Sequence, residues 1–121
     1  MKKKVLGLIG TLEIELLGTD DVMVIDLAGQ IDSYSAEEVS KLIEAHIHNQ
    51  RVKVIVDLNK ITYLDSAALS MLIKNKISLS KRGGDLRLVG VKAKAKEVFE
   101  LAGLLGMFGI YESREDAFEG F

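Results

Sequence analysis

Cysteine and proline are both absent from this chain of 121 residues. Without cysteine the protein can form no disulfide, no thiolate metal site and no cysteine nucleophile. Its two histidines are too few to build a histidine-rich metal site. Without proline there is no rigid proline-rich linker and no PxxP ligand. The sequence therefore offers few side chains suited to catalysis, and we expect neither a metal nor another cofactor.

Strong charge and long apolar runs are lacking as well. Sixteen basic residues against eighteen acidic ones leave a net charge of −2, which argues against a nucleic-acid surface held by bulk charge. No run approaches the roughly 20 apolar residues of a membrane-spanning helix. Lys2 to Lys4 and the short apolar stretch after them resemble the start of a signal peptide, but Glu13 and Glu15 stand where a cleavage region would be. We therefore expect a mature, soluble chain in the cytoplasm, without a transmembrane segment.

The composition is that of a globular protein, with 48% apolar and 28% charged residues. A length below the typical domain of about 150 residues predicts a single domain over residues 1–121, with its core at about 11–119.

Five segments have the period-2 alternation or the short apolar run of β-strands. The first two flank a turn at Asp20-Asp21 and are close enough to form a hairpin. The third is β-branched and suits a central strand covered on both faces. The five predicted strands are Thr11–Leu16, Val22–Leu27, Val52–Leu58, Leu86–Val89 and Phe108–Tyr111.

Four segments have helical signals. Ser35 and Glu38 are spaced as a capping box before the first helix. The second helix is predicted at about Ser66–Ser80, the third at about Ala93–Ala102, and a last helical piece follows a cap at Ser113. The predicted buried stripes are Val39, Leu42, Ile43, His46 and Ile47 on the first helix, and Leu69, Leu72, Ile73 and Ile77 on the second. The order β-β-α-β-α-β-α-β-α predicts an α/β sandwich with a largely parallel sheet.

The titratable residues form no convincing catalytic set. His46 and His48 are two apart on a helix and so point in nearly opposite directions. Asp20, Asp21 and Asp57 suggest a phospho-aspartate receiver with magnesium, but the acidic pair lies in a hairpin rather than at a strand end. The lysines between Lys92 and Lys96 are interpreted as a solvated helix face, with an acidic partner or lipid headgroups as the alternative. No glycine pattern forms a phosphate loop, which disfavours a nucleotide-binding or catalytic protein.

The most informative segment joins the third strand to the second helix. Asp65 is suited to be the N-cap, and Ser66 then occupies the first turn beside free backbone amides. In an α/β sheet this position lies at the carboxyl edge of the strands, where ligands usually bind, and Asp32 is expected near the same edge. The pattern alone is compatible with an ordinary helix start and with a binding position.

Two motifs resemble those of STAS domains, the family of the anti-sigma factor antagonists. Asp57-Leu58 followed by Tyr63 to Ala67 resembles the family signature, and Gly29 to Ala36 is similar to an earlier family segment. The order of elements also matches from about Leu12 to Phe118. The resemblance implies a STAS-type α/β sandwich, with a mixed, largely parallel sheet of about five strands and helices packed on it.

The resemblance also implies a bacterial partner switch without catalysis by the chain itself. In the family the serine after the aspartate, here Ser66, is phosphorylated by a serine kinase that doubles as the anti-sigma factor, and a serine phosphatase resets it. No direct contact with nucleic acid is implied, and we expect a monomer or weak dimer. The docking face would comprise Asp32, Ser33, Tyr34, Asp65, Ala67, Ala68 and Ser70.

The sequence departs from the family pattern at two positions. Ala68 and Ser70 stand where glycine is usual, and Ser70 lies one turn beyond Ser66 as a second candidate acceptor. The alternative function is a STAS subunit of a membrane-associated transport complex or signalling scaffold, in which Ser66 need not be modified.

Overall fold

The computed structural model describes residues 2–10, 12–19 and 21–121, with side chains described outside 2–9 and 93–94. Thr11 and Asp20 of the predicted first strand and turn lie outside the described residues. The strands are β1 (Lys2–Ile9), β2 (Leu12–Gly18), β3 (Val22–Ile31), β4 (Lys53–Leu64), β5 (Asp85–Val89) and β6 (Gly109–Tyr111). The helices are α1 (Ser33–His48), α2 (Ser66–Lys81), α3 (Ala93–Leu101) and α4 (Arg114–Phe118).

The described strands form one six-stranded sheet in the order β1-β2-β3-β4-β5-β6. The β1–β2 and β2–β3 pairs are antiparallel, which confirms the predicted hairpin between β2 and β3. The pairs from β3 to β6 are parallel, as strands joined through helices must be. The mixed, largely parallel α/β sheet is thus confirmed, and β1 is an additional strand in the segment that the sequence likened to a signal peptide.

Both faces of the sheet are covered. Neighbouring residues of a strand point to opposite faces, so Ile25 lies in the larger core and Val24 in a smaller one. The larger core joins the sheet to α1, α2 and α3 through, among others, Val39, Ile43, Leu72, Leu79 and Phe99. The smaller core lies under α4 and comprises Val22, Val24, Ile55, Val89 and Ala117.

The start of α1 differs from the prediction. Asp32 is the N-cap and Ser35 occupies the third helical position, so the capping box is Asp32–Ser35 rather than Ser35–Glu38. The predicted box was therefore wrong by one helical turn. The reason is that β3 ends at Ile31, and Asp32 is the first residue free to cap. Ser35 is instead buried beneath the first turn.

The predicted buried face of α2 is confirmed at Leu72, which is buried, and at Leu69 and Ile73, which pack against the core, but it is wrong at Ile77. Ala68, Met71, Leu72, Asn75 and Leu79 are buried, whereas Ile77 is 43% exposed. A residue two places from Asn75 points away from it by about 200°, so burying Asn75 turns Ile77 outward. Asn75 is tolerated in the core because its Nδ2 donates to Ser40 Oγ at 3.0 Å and to the Met71 carbonyl at 2.8 Å.

The predicted stripe of α1 is confirmed. Val39, Ile43 and His46 are buried, and Leu42 and Ile47 pack against the core.

The described helices include none that is both long enough and apolar enough to span a bilayer.

His46 makes the stability of the fold depend on pH. It is 8% exposed, and burial lowers the pKa of its imidazole, with nearby Arg51 acting in the same direction. Below about pH 6.5 the unfolded chain therefore takes up a proton that the folded chain resists, and the free energy of unfolding falls as the pH falls. The slope contributed by one such group is at most about 1.4 kcal/mol per pH unit.

We expect His46→Gln to flatten this slope between pH 7.5 and 5, measured by urea unfolding. His48→Gln is the matched control, because it removes an exposed histidine from the end of the same helix. Equal slopes for wild type and His46→Gln would contradict the assignment.

Candidate functional site

Two helices begin side by side at the carboxyl edge of the central strands. Ile31 at the end of β3 pairs with Leu64 at the end of β4, and the Asp65 amide donates to the Ile31 carbonyl at 3.2 Å. The residue that follows each strand is an aspartate that caps the next helix. Asp32 caps α1 and Asp65 caps α2. Neighbouring strands lie about 5 Å apart, so the register brings the two caps together, as the sequence predicted for Asp32 and Asp65.

The Asp32 cap is reciprocal. Asp32 Oδ1 accepts from the Ser35 amide at 3.0 Å, and the Asp32 amide donates to Ser35 Oγ at 2.9 Å. The hydrogen bonds from the Ser35 amide and hydroxyl lower the pKa of the Asp32 carboxyl, which keeps it charged. This edge therefore carries a stable negative charge on its exposed rim.

Asp65 caps α2 and leaves Ser66 accessible. Asp65 Oδ1 accepts from the Ala68 amide at 3.0 Å, and its carbonyl accepts from the Leu69 amide at 3.2 Å. Ser66 is the first helical residue and is exposed. Within the described part of the chain the amides of Ser66 and Ala67 have no acceptor. A helix start with free amides favours a negatively charged group, so this position tolerates an anion.

Most of the predicted docking residues lie on this edge. Asp32, Ser33, Tyr34 and Ser70 are exposed, and Asp65 and Ala67 are half-buried. Tyr34 is 62% exposed, an aromatic side chain of the kind that anchors protein interfaces. The surface formed by these residues together with Ser66 is called the switch surface below.

Ala68 was wrongly included in the predicted face. Its side chain is fully buried, because α2 directs this position into the core between the sheet and the helix. Its methyl group therefore occupies core space and is not presented to a partner.

Tyr63 is a surface residue that the sequence did not single out. The sequence ended the strand at Leu58, whereas β4 continues to Leu64. Register shifts against β3 let the strand continue through the polar residues that the sequence interpreted as a connection. Tyr63 is 56% exposed and lies two residues before Asp65. The sequence signal that could have identified Tyr63 is an aromatic residue two positions before the Asp65-Ser66 pair.

Asp57 is part of a buried ion cluster rather than of a metal site. Asp26 and Asp57 are paired across β3 and β4, and they are 7% and 5% exposed. Arg114 of α4 bridges them, with Nη2 at 2.9 Å from Asp26 Oδ2 and Nε at 2.7 Å from Asp57 Oδ2. Asn59 donates to Asp57 Oδ1 from its amide and its side chain, each at 2.9 Å.

The receiver hypothesis has no structural support. Asp57 points to the α4 side of the sheet and is neutralised by Arg114, and Asp20 lies outside the described residues. No three acidic or histidine side chains in the described part of the chain are grouped so that they could hold a metal ion. Lys92 and Lys96 are exposed, as predicted for a solvated face.

A family model for the STAS domain matches residues 13–117. The chain belongs to the STAS domain family. It is 30% identical over 94 residues to the anti-sigma-B factor antagonist of Listeria monocytogenes, covering 78% of this chain and 82% of the relative.

Solved STAS-like structures share the fold. An anti-sigma factor antagonist from Mycobacterium paratuberculosis superposes with a TM-score of 0.75 at 25% identity, covering 88% of this chain and 90% of the other. The phosphorylated form of the Bacillus cell fate determinant SpoIIAA superposes with a TM-score of 0.72 at 22% identity, covering 86% and 95%. The STAS-type α/β sandwich expected from the two sequence motifs is thereby confirmed.

Proposed function

We propose that this STAS domain is an anti-sigma factor antagonist, a partner-binding module that is switched by phosphorylation of Ser66. Its partner is a serine kinase that also acts as the anti-sigma factor, and a serine phosphatase resets the switch. The observation that carries the proposal is the exposed Ser66 hydroxyl at the start of α2, beside a second capped helix start. The relationship to a protein named anti-sigma-B factor antagonist supports it.

The acceptor position suits reversible modification. A phosphoryl group adds about −1.5 to −2 charge at neutral pH, which the free amides and the dipole of α2 partly compensate. The Ser66 hydroxyl also makes no hydrogen bond that modification would break among the described residues. The fold should therefore be nearly indifferent to the modification, as a regulatory acceptor requires.

The switch surface suits a protein partner. Tyr34 supplies an exposed aromatic anchor, and Asp32 and Asp65 supply carboxylates at the starts of α1 and α2. The chemistry of phosphate transfer belongs to the kinase, so the chain itself has no catalytic step to perform. We propose in addition that the protein acts in the cytoplasm as a monomer or weak dimer, without direct contact to nucleic acid.

The proposal is tested by incubating the protein with the serine kinase anti-sigma factor of the same organism and Mg-ATP, then mapping phosphate by mass spectrometry. We expect one phosphate on Ser66. Ser66→Ala should lose it, and Ser70→Ala, the matched variant one turn along the same exposed face, should retain it. Phosphate found on Ser70 alone would show that the acceptor lies one turn further along α2. Stable binding without any label would contradict the switch and favour the scaffold alternative.

A further inference from the structure

The last part of β4 has a free edge. The pairing of β4 with β3 continues to Ile31–Leu64, whereas its pairing with β5 ends at Asp57–Val89. Residues 58–64 therefore have a strand partner on one side only, within the described part of the chain. An unpaired strand edge offers a row of backbone donors and acceptors to an added strand.

The edge is free because the chain turns away after β5. Gly90 has a φ of +72°, and a Cβ there would come within 2.2 Å of Asn59 Oδ1. Asn59 is itself held by Asp57, so its side chain stays packed closely against Gly90. The chain turns at Gly90 and continues into α3, and the end of β4 has no second strand partner among the described residues.

A groove of about 510 Å³ lies between this edge and α3. This volume is within the range of about 300–1,000 Å³ that is usual for ligand pockets. The walls are mostly apolar, and Lys92 provides an exposed cation at one side. The lining residues are Leu58, Ile61, Thr62, Tyr63, Leu64, Lys92, Ala95 and Val98.

We propose that an extended segment of the kinase partner occupies this groove and adds as a strand to the free edge of β4. The proposal rests on the proposed function, because the kinase is the occupant. The groove is continuous with the switch surface, since Leu64 lines the groove and is followed directly by Asp65 and Ser66. A strand added along β4 therefore leads the kinase to the acceptor hydroxyl.

The groove also defines the chemistry of that segment. In strand addition, backbone hydrogen bonds supply much of the affinity, and side chains of alternate residues supply the specificity. Ile61 and Val98 in the lining favour an apolar side chain, and Lys92 in the lining favours a carboxylate. The occupant is thus an extended segment that combines apolar and acidic residues.

Hydrogen exchange of the whole complex tests the strand pairing directly. We compare the unphosphorylated protein alone with the same protein bound to the kinase, and follow the backbone amides of residues 58–64. Those amides that are not already bonded to β3 should exchange at least about tenfold more slowly in the complex. Docking through side chains alone would leave them unchanged.

Val98→Glu tests the groove, with Leu101→Glu as the matched control. Both residues are exposed and apolar on α3, at 37% and 84%, but only Val98 lines the groove. Val98→Glu should weaken kinase binding at least about tenfold, by repelling the acidic segment and filling its place. Leu101→Glu should bind within about twofold of the wild type, and circular dichroism verifies that both variants are folded.

The outcomes separate this inference from the proposed function. If Ser66→Asp weakens binding but the 58–64 amides are not protected, the strand pairing is wrong and the switch stands. If the amides are protected but Ser66→Asp binds like the wild type, the strand pairing stands and the switch is wrong. Absence of any complex between the unphosphorylated protein and the kinase would overturn both.

Discussion

Phosphorylation of Ser66 is expected to weaken binding to the kinase by about 150- to 4,000-fold. The kinase must remove water from the switch surface in order to bind it. A doubly charged group beside the Asp65 cap has no cation among its near neighbours on the switch surface to compensate it in the interface. Leaving such a charge buried and unpaired costs about 3–5 kcal/mol, which corresponds to the stated loss of affinity.

The same phosphate should hardly change folding stability. In the free protein Ser66 is exposed, so the group remains in water, and the start of α2 favours negative charge. Titration calorimetry of the purified phosphorylated and unphosphorylated forms measures the affinity, and urea unfolding measures the stability. Affinities that agree within about threefold would contradict the switch mechanism, because such a difference is below 1 kcal/mol.

Ser66→Asp should weaken binding in the same direction but by less, because a carboxylate carries a single charge and is smaller than a phosphate. Ser80→Asp is the matched control. Ser80 is an exposed serine near the other end of α2, far along the helix from the switch surface. Its replacement adds the same charge to the same helix and should leave kinase binding unchanged.

Arg114→Met is expected to destabilise the fold by about 3–5 kcal/mol. The guanidinium bridges Asp26 and Asp57, which are both buried on the α4 side of the sheet. Without it, the one cation left to the two carboxylates among the described residues is Lys60, which is exposed and lies 3.4 Å from Asp26, and Asp57 keeps its two hydrogen bonds from Asn59. Removing one partner of a buried ion pair leaves an uncompensated charge, and here α4 also loses its ionic link to β3 and β4.

Urea unfolding at neutral pH measures this loss. Arg82→Met is the control for the removal of an arginine, because Arg82 is exposed and makes no ion pair among the described residues, so its effect should be within about 0.5 kcal/mol. Adding Asp26→Asn and Asp57→Asn to Arg114→Met should recover part of the stability, because the uncompensated charges are then gone. An Arg114→Met variant as stable as Arg82→Met would show that the cluster is unimportant.

Local signals in the sequence predicted most elements of the fold. Asp65 and Ser113 were expected as N-caps and are N-caps, because capping depends on residues only three apart. The apolar spacing of α1 was likewise sufficient to identify its buried stripe. The expected place of Ser66, exposed on the first turn after a central strand, also followed from the local pattern.

Two of the misses have a common cause, which is competition between patterns that are locally equivalent. Ser35–Glu38 and Asp32–Ser35 are both capping patterns. Because the pairing of β3 ends at Ile31, the helix begins directly afterwards and the Asp32–Ser35 box forms. The amphipathic pattern of α2 alone is compatible with Ile77 on the buried face. The contact between Asn75 and Ser40 of α1 sets the rotation of the helix and turns Ile77 outward. In both cases the deciding contact comes from another element.

The sequence by itself thus determined the absence of thiol chemistry, the α/β order of elements from β2 onward, and the presence of an aspartate-capped serine at a helix start. Only the tertiary structure decided that Asp32 and Asp65 cap neighbouring helices in register, that Ala68 is buried, and that the end of β4 remains unpaired. The physical reason is the sequence separation over which each kind of interaction acts. Caps and periodicity act over a few residues, whereas strand register and helix rotation are set by contacts between residues that are some thirty positions apart, such as Asn75 and Ser40.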